Sequence, residues 1–423
     1  MAEQSGRLVI VEPAYASTVG HHGEVNRPLL AALAAEGWKA ELWADVALEA
    51  EVGAPQPLRG VFSGCGYEDP RHWRELGGML QLARRLEQQL SEAARHGAQP
   101  TAAPITAWLA HSLLPFQLLG LARHLAQAAP AQVLISLMFA PGETLEGEGP
   151  CEQASHNARV ALAALAKAAA RQGHRLQLVF PSRQQQLLYR PLLKATGLRD
   201  GGLHPAVVGG GCRPDAPQAE EPPLVLLHWG DQKVGKGQEE ALTVLQALLQ
   251  EGVPEPLAGW GWLWHQHSRA SHNAQAEAVL QQAEAAGLPL VRLQGEVESA
   301  AMQGWLARCP LALLAYHPAR YSQRSSGMLW QWAAGRWALQ QPAAAVGYSS
   351  GWLAAEAAEL GLRWHGLPWR EALTQDGERW RQALAAAAAA LPAAQCWSAA
   401  SEPVLGRSFG RWCAEQLRGA GPT

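Results

Sequence analysis

The chain has 423 residues, 17% of them charged, and a formal net charge of −3. That length suits two domains, and the near balance of charge argues against a nucleic-acid-binding surface as the main role. The six cysteines are scattered without CxxC spacing, which excludes a disulfide framework or zinc site and suits reduced thiols in a cytoplasm.

The N-terminus lacks an apolar signal core, and no run reaches the roughly twenty apolar residues of a membrane span. The expectation is therefore a soluble cytoplasmic protein, with peripheral membrane contact left open. The alanine-rich run before Pro392 reads as a surface helix. Eighteen tryptophans against six tyrosines and five phenylalanines suit a core that also lends indole faces to sugar.

In chain order, residues 7–12 (RLVIVE) read as a strand, followed by the loop Gly20-His21-His22-Gly23-Glu24. Residues 26–37 form a helix with Leu29, Leu30 and Leu33 on one face. A strand follows at 38–43, then a long amphipathic helix at 71–96. Residues 104–109 (PITAWL) form a strand leading into a helix at 113–125. Residues 133–139 are a buried strand, 151–171 an alanine-rich helix and 176–180 another strand. Ser182 is placed to cap the helix that follows. Alternation of this length implies right-handed βαβ crossovers and a doubly wound parallel sheet.

The glycine- and proline-rich stretch 198–223 reads as an interdomain linker. The expected division is a first domain at 1–200, linker at 201–222, second domain at 223–400, and C-terminal helix at 401–423. Beyond the linker the alternation restarts. Strands are expected at 224–227, 256–264, 289–293, 311–315 and 337–340, with helices between them and another at 351–361.

Two turns in this half can take an anion. The first, Gly230-Asp231-Gln232-Lys233-Val234-Gly235-Lys236-Gly237, joins an apolar strand to a helix. Its glycines permit sharp turning and close approach, the helix start offers unpaired N–H groups, and Lys233 and Lys236 add charge. The second, Tyr321-Ser322-Gln323-Arg324-Ser325-Ser326-Gly327, follows the strand at 311–315. It is expected to aim amides and the Ser325 and Ser326 hydroxyls at a ligand, with Arg324 adding a bidentate cation. Both turns leave the carboxyl ends of strands, where open α/β sheets bind ligands. Together they suggest a nucleotide-diphosphate site.

The cluster Trp260, Trp262, Trp264, His265, His267 and His272 lacks a supporting carboxylate or thiolate, so no metal site is expected. It reads as a strand whose Gly259/Gly261 end lies near a nucleotide base, with exposed histidines in the loop. No G-x-S-x-G, HExxH or Walker A sequence is present.

The second half resembles the C-terminal domain of GT-B glycosyltransferases, especially retaining family 4, also called group 1. Gly230, Lys236 and Gly237 fall in register with that family's G-R-L-x-x-x-K-G pattern. Residues 292–295 and the segment 325–336 (SSGMLWQWAAGR) match later elements, as do 346–353 and a final helix around 408–412. The family's arginine is Asp231 here. Its E-x7-E glutamates are absent, their positions falling at Ser322 and Trp330.

The resemblance implies two Rossmann-like doubly wound domains facing a central cleft, with the C-terminal helix crossing back to the first. It implies sugar transfer from a nucleoside-diphosphate sugar, with retention, to an acceptor: a glycan, lipid-linked sugar, protein or small molecule. No cofactor or metal is required. Gly20, His21 and His22 would face donor phosphate and acceptor, and His111, at a strand end, would sit near the transferred sugar. Gly230, Lys233, Lys236, Tyr321, Arg324, Ser325, Ser326 and Gly327 would hold the donor, with Lys236 and Arg324 stabilising the leaving diphosphate. A GT-B nucleotide-sugar epimerase and a catalytically degenerate binding protein are the alternatives.

Overall fold

A computed structural model describes residues 7–17, 21–49, 58–67, 74–96, 103–143, 150–207, 221–230, 233–267, 273–391, 397 and 401–419. The chain divides into two units: Met1–Val207 with Arg407–Thr423, and Val208–Gly406. Most of the stretch expected as a linker lies outside the described residues, at 208–220.

The first unit runs β1 (Arg7–Val11), α1 (His21–Ala35), β2 (Lys39–Asp45), α2 (Val46–Glu49), β3 (Leu58–Phe62), α3 (Leu76–His96), β4 (Ile105–Ala110) and α4 (Pro115–Leu125). It continues through β5 (Gln132–Ser136), α5 (Glu152–Gln172), β6 (Arg175–Phe180), α6 (Arg183–Thr196) and β7 (Asp200–Leu203). Its sheet order is β3-β2-β1-β4-β5-β6-β7, all parallel. Apolar residues occupy successive positions of β1 because helices cover both faces. Leu8 and Ile10 pack into one core with Leu29 and Leu33 of α1, while Val9 and Val11 join a second with Leu86 and Leu118. Ser182 caps α6 by accepting from the Gln185 amide at 3.3 Å.

The second unit runs β8 (Leu224–His228), α7 (Gln238–Glu251), β9 (Gly261–Gln266), α8 (Ala274–Ala285), β10 (Leu290–Gln294), α9 (Ser299–Ala307), β11 (Leu311–Leu313) and α10 (Gly327–Ala338). It ends with β12 (Ala344–Tyr348), α11 (Trp352–Glu359), β13 (Arg363–Leu367) and α12 (Gly377–Ala390). The parallel sheet has the order β10-β9-β8-β11-β12-β13. The last helix, α13 (Phe409–Gly419), belongs to the first unit. Its Phe409, Cys413 and Leu417 share a core with Leu8 and Ile10, and Arg418 pairs with Glu36 at 2.8 Å.

Three sequence expectations fail here. Residues 337–340 are not a strand. α10 runs through Ala338, Gln340 takes a positive φ of 54°, and the strand forms beyond Pro342 at β12. The alanine-rich helix α12 is not simply a surface element, because Trp380, Leu384 and Ala387 are wholly buried in the core formed with α7. Gly261 pairs with Leu224, at the start of β8, which puts it at the sheet edge opposite the glycine loop. Parallel strands fix that polarity, so the Gly259/Gly261 end is not beside a ligand held at the carboxyl edge.

Candidate functional site

In each sheet the strand order reverses at one border, β1/β4 in the first unit and β8/β11 in the second. Loops diverge there and leave a crevice at the carboxyl edge.

In the second unit Leu226 pairs with Ala312, so the two anion-compatible loops leave their strands side by side. The amide of His317 donates to the carbonyl of Gly235 at 2.8 Å. Gly235 has φ of 78°, and a Cβ there would lie 2.8 Å from Arg320 Cδ, so any other residue is strained and must displace its neighbour. Lys236 Nζ donates to the Trp229 carbonyl at 3.1 Å, and Gly230 (φ 96°) leaves room for that ammonium, 2.9 Å from where a Cβ would sit. Lys233 is exposed, while Asp231 and Gln232 lie outside the described residues.

The two helix starts differ. α7 carries Glu239 and Glu240 in its first turn, whereas α10 carries no acidic residue there. An added anion is therefore favoured at α10. The hydroxyls expected to meet it are turned inward. Ser326 caps α10 by accepting from Leu329 N at 3.4 Å and donates to Tyr316 Oη at 3.1 Å. Ser325 donates to the wholly buried Glu356 at 2.7 Å and accepts from Trp330 Nε1 at 2.9 Å. The turn thus presents the main-chain amides at exposed Gly327 and at Met328 rather than hydroxyls. The Arg324 guanidinium lies 5.6 Å from the ring centre of Tyr321, which is buried.

Sequence reasoning missed His228 and Glu356. Burial above all, then the nearby Lys236 and His265, lowers the His228 imidazole to about 3, so the ring is neutral. Of the histidines expected to be exposed, His265 is buried and bonds Gly295 O at 2.8 Å, His267 is exposed, and His272 lies outside the described residues.

In the first unit Val11 pairs with Ala110, so Glu12 and His111 emerge together. Both are completely buried. His111 Nδ1 lies 3.0 Å from Glu12 Oε2, and Nε2 lies 3.0 Å from Asn26 Oδ1. The Asn26 amide donates Nδ2–H to His22 O at 2.9 Å, which fixes Oδ1 as the acceptor facing His111. His111 Nδ1 also lies 3.0 Å from the Ser112 hydroxyl, so the ring is held from both nitrogens by protein groups. His22 Nδ1 lies 3.3 Å from Glu12 Oε1. Burial alone would raise the Glu12 carboxyl, but His111 and His22 outweigh it and lower it to about 2. Ser112, a non-glycine residue with φ of 60°, sits beside this pair and accepts from the Tyr67 hydroxyl at 2.9 Å. A non-glycine residue held in the left-handed region stores strain, and such residues gather at functional sites.

Gly20 lies outside the described residues, and the rest of the loop expected at 20–24 is instead the first turn of α1, which begins at His21. His22 keeps 18% of its side chain exposed. Glu12 was legible only as an acid ending an apolar strand, a position that reads as the start of a loop.

Among the described residues no three His, Cys, Asp or Glu side chains gather as a metal ion would need, and no helix is long and apolar enough to cross a membrane.

No protein-family model and no curated protein matches the chain. Solved structures of the same two-domain fold do. A UDP-forming α,α-trehalose-phosphate synthase from Burkholderia xenovorans has a TM-score of 0.57 at 13% identity, covering 99% of this chain and 100% of that one. Sucrose-phosphate synthase from Thermosynechococcus elongatus has 0.56 at 14%, covering 98% and 94%. The E. coli trehalose-6-phosphate protein bound with UDP-2-fluoro glucose has 0.57 at 12%, covering 99% and 100%. The fold is thus the GT-B arrangement of two Rossmann-like domains.

Proposed function

We propose that the protein transfers a sugar from a nucleoside-diphosphate sugar to an acceptor. The observation that carries this reading is the stitching of two glycine- and serine-bearing loops at the switch point of the second sheet, through His317 N and Gly235 O. It gathers Lys236 and the amides of α10 on one edge. A diphosphate leaving group gains negative charge as the glycosidic bond breaks, so fixed amides and a nearby ammonium favour the transition state over the ground state. Arg324 and Lys233 are the remaining cations of these loops.

The fold neighbours include one bound with UDP-2-fluoro glucose and another in complex with glucose-6-phosphate, which suits a nucleotide-sugar donor and a sugar acceptor. The sequence resemblance implies retention, which the anomeric proton of the product reads directly by NMR.

A thermal-shift panel of nucleotides tests the donor site, because a ligand that binds only the native state must raise its melting temperature. A nucleoside diphosphate is expected to stabilise more than its nucleoside. Equal shifts for the two, or none, would overturn the diphosphate assignment. A binding protein without turnover is the second reading, favoured by the inward commitment of the Ser325 and Ser326 hydroxyls. Release of nucleoside diphosphate from nucleotide sugars separates the two.

A further inference from the structure

We infer that the start of α6, in the first unit, is a binding site for a phosphate group, held by the main-chain N–H of Gln184 and the side-chain amide of Gln185. The donor loops belong to the second unit, and this inference does not rest on the transferase reading.

β6 ends at Phe180, and Pro181-Ser182 turn the chain into α6 at the carboxyl edge of the sheet. The carbonyl that a longer helix would offer to Gln184 N is Phe180 O, and that oxygen already accepts from His204 N at 2.9 Å. Ser182, the N-cap, takes the next amide, Gln185 N, at 3.3 Å. The Gln184 N–H is thus left at the helix start, where the dipole favours an anion, and the first turn of α6 holds no acidic side chain.

A second donor converges there. Gln185 is only 3% exposed, and its Nε2 is sealed from solvent without a hydrogen-bond partner among the described residues. Helical side chains lean toward the N-terminus, so the third residue of α6 carries its amide back over the first turn. Native proteins rarely leave such a group unmatched, because an N–H taken out of water with nothing to donate to is costly. Both donors ask for an acceptor that the fold does not supply.

The floor of the site is neutral. Ser136 pairs with Val179 and Leu203 with Phe180, so Ser136 and His204 flank the end of β6. Pro205 O can only accept, so His204 carries hydrogen on Nδ1, 2.7 Å away, and its Nε2 accepts the Ser136 hydroxyl at 2.8 Å. Burial above all lowers this imidazole to about 4, and the pair stays uncharged. Arg183, exposed at the first position of α6, adds positive charge on the solvent side. The Glu143 carboxylate acts one turn further along, where after burial it raises the Tyr189 phenol, whose hydroxyl donates to Phe139 O at 2.9 Å. A phosphate offers three charged oxygens to the donors, whereas a neutral sugar hydroxyl gains little from the dipole.

Proton–nitrogen NMR of the full chain, titrated in turn with inorganic phosphate, methyl phosphate and acetate, reads the site. The signals are the Gln184 amide and the Gln185 side-chain pair, the latter identified by its loss in Gln185→Met. Both are expected to move along one saturating curve with phosphate, and less with acetate. The same curve is expected in Lys236→Ala, which separates the site from the donor loops. Saturation by methyl phosphate as well assigns the site to a phosphate ester, and by inorganic phosphate alone to the free ion.

Methionine has nearly the length of glutamine and no amide to bury. Gln185→Met should therefore melt no lower than wild type without phosphate, while its Gln184 amide binds phosphate about tenfold more weakly. Should that variant fail to fold, Gln185→Asn, one methylene shorter, is expected to show the same weakening. Signals that phosphate leaves unmoved, or that acetate moves as strongly, overturn the site. So does a Gln185→Met variant that melts lower than wild type and binds phosphate equally well.

Discussion

The His317 amide and the Gly235 carbonyl, 2.8 Å apart, tie the loop after β8 to the loop after β11 at the border where the second sheet reverses direction. Gly235→Ala strikes this tie twice. The new Cβ meets Arg320 Cδ at 2.8 Å and His317 Cβ at 3.0 Å, and a side chain is strained at φ of 78°. The expected cost is about 1–3 kcal/mol of stability. A loss of nucleoside-diphosphate affinity beyond what the melting temperature explains is expected too. Calorimetric titration beside thermal melts checks this, and unchanged affinity would show that the tie does not shape a ligand site.

Lys236→Ala tests the cation. Its ammonium rests on the Trp229 carbonyl at 3.1 Å, a contact that a bound diphosphate would replace or share. Turnover is expected to fall roughly tenfold or more, the scale of one charge-assisted contact to the leaving group, while the protein stays folded. The measurement is release of nucleoside diphosphate, and a wild-type rate would remove Lys236 from the donor site.

Glu12 carries a pH prediction. Its carboxyl is lowered from an ordinary 4.5 to about 2, with burial opposing and His111 and His22 outweighing burial. A group depressed on folding stabilises the fold above its unfolded value, and that contribution fades as pH falls through the folded one. The contribution is about 3 kcal/mol, complete above roughly pH 5 and lost toward pH 2. Glutamine mimics the protonated acid, so Glu12→Gln should melt well below the wild type at pH 7. The gap should close as both are titrated from pH 5 toward pH 2. A gap constant with pH would mean that the carboxylate charge is not what stabilises.

The alternation of apolar runs with helical periods carried the fold, because a parallel strand covered on both faces shows as an unbroken run such as residues 224–227. What it could not carry was any element whose burial comes from distant chain. β7 reads as linker because Asp200-Gly201-Gly202 has turn composition, yet it pairs with β6 at the sheet edge. The strand expected at 337–340 is instead the end of α10 and the turn after it, because Trp332 and Arg336 bury themselves against the carbonyls of Cys309 and Ala307. The glycine loops were legible in the site because a positive φ leaves a residue signature. Glu12 and Glu356 were not, since partners lie 10 and 99 residues away for Glu12 (His22, His111), and Glu356 joins the nearby Trp352 to Ser325 and Trp330, 31 and 26 residues away. A single acid in a sequence names no partner.

The start of α10 allows the amides to be separated from the hydroxyls. Ser326 is the N-cap, so Ser326→Ala should cost about 1 kcal/mol of stability and leave nucleoside-diphosphate affinity within about twofold, since its hydroxyl faces Leu329 N and Tyr316. Gly327→Pro should do the reverse. Proline is accepted at the first helical position, Ser326 already has the extended backbone (φ −120°, ψ 112°) that a following proline requires, and no atom lies within 4 Å of a Cβ at Gly327. The substitution removes one N–H from the helix start and little else. Melting temperature is expected to hold while affinity for a nucleoside diphosphate falls about tenfold, and affinity for the nucleoside stays as it was. Equal diphosphate affinity in Gly327→Pro and wild type would take the anion away from α10.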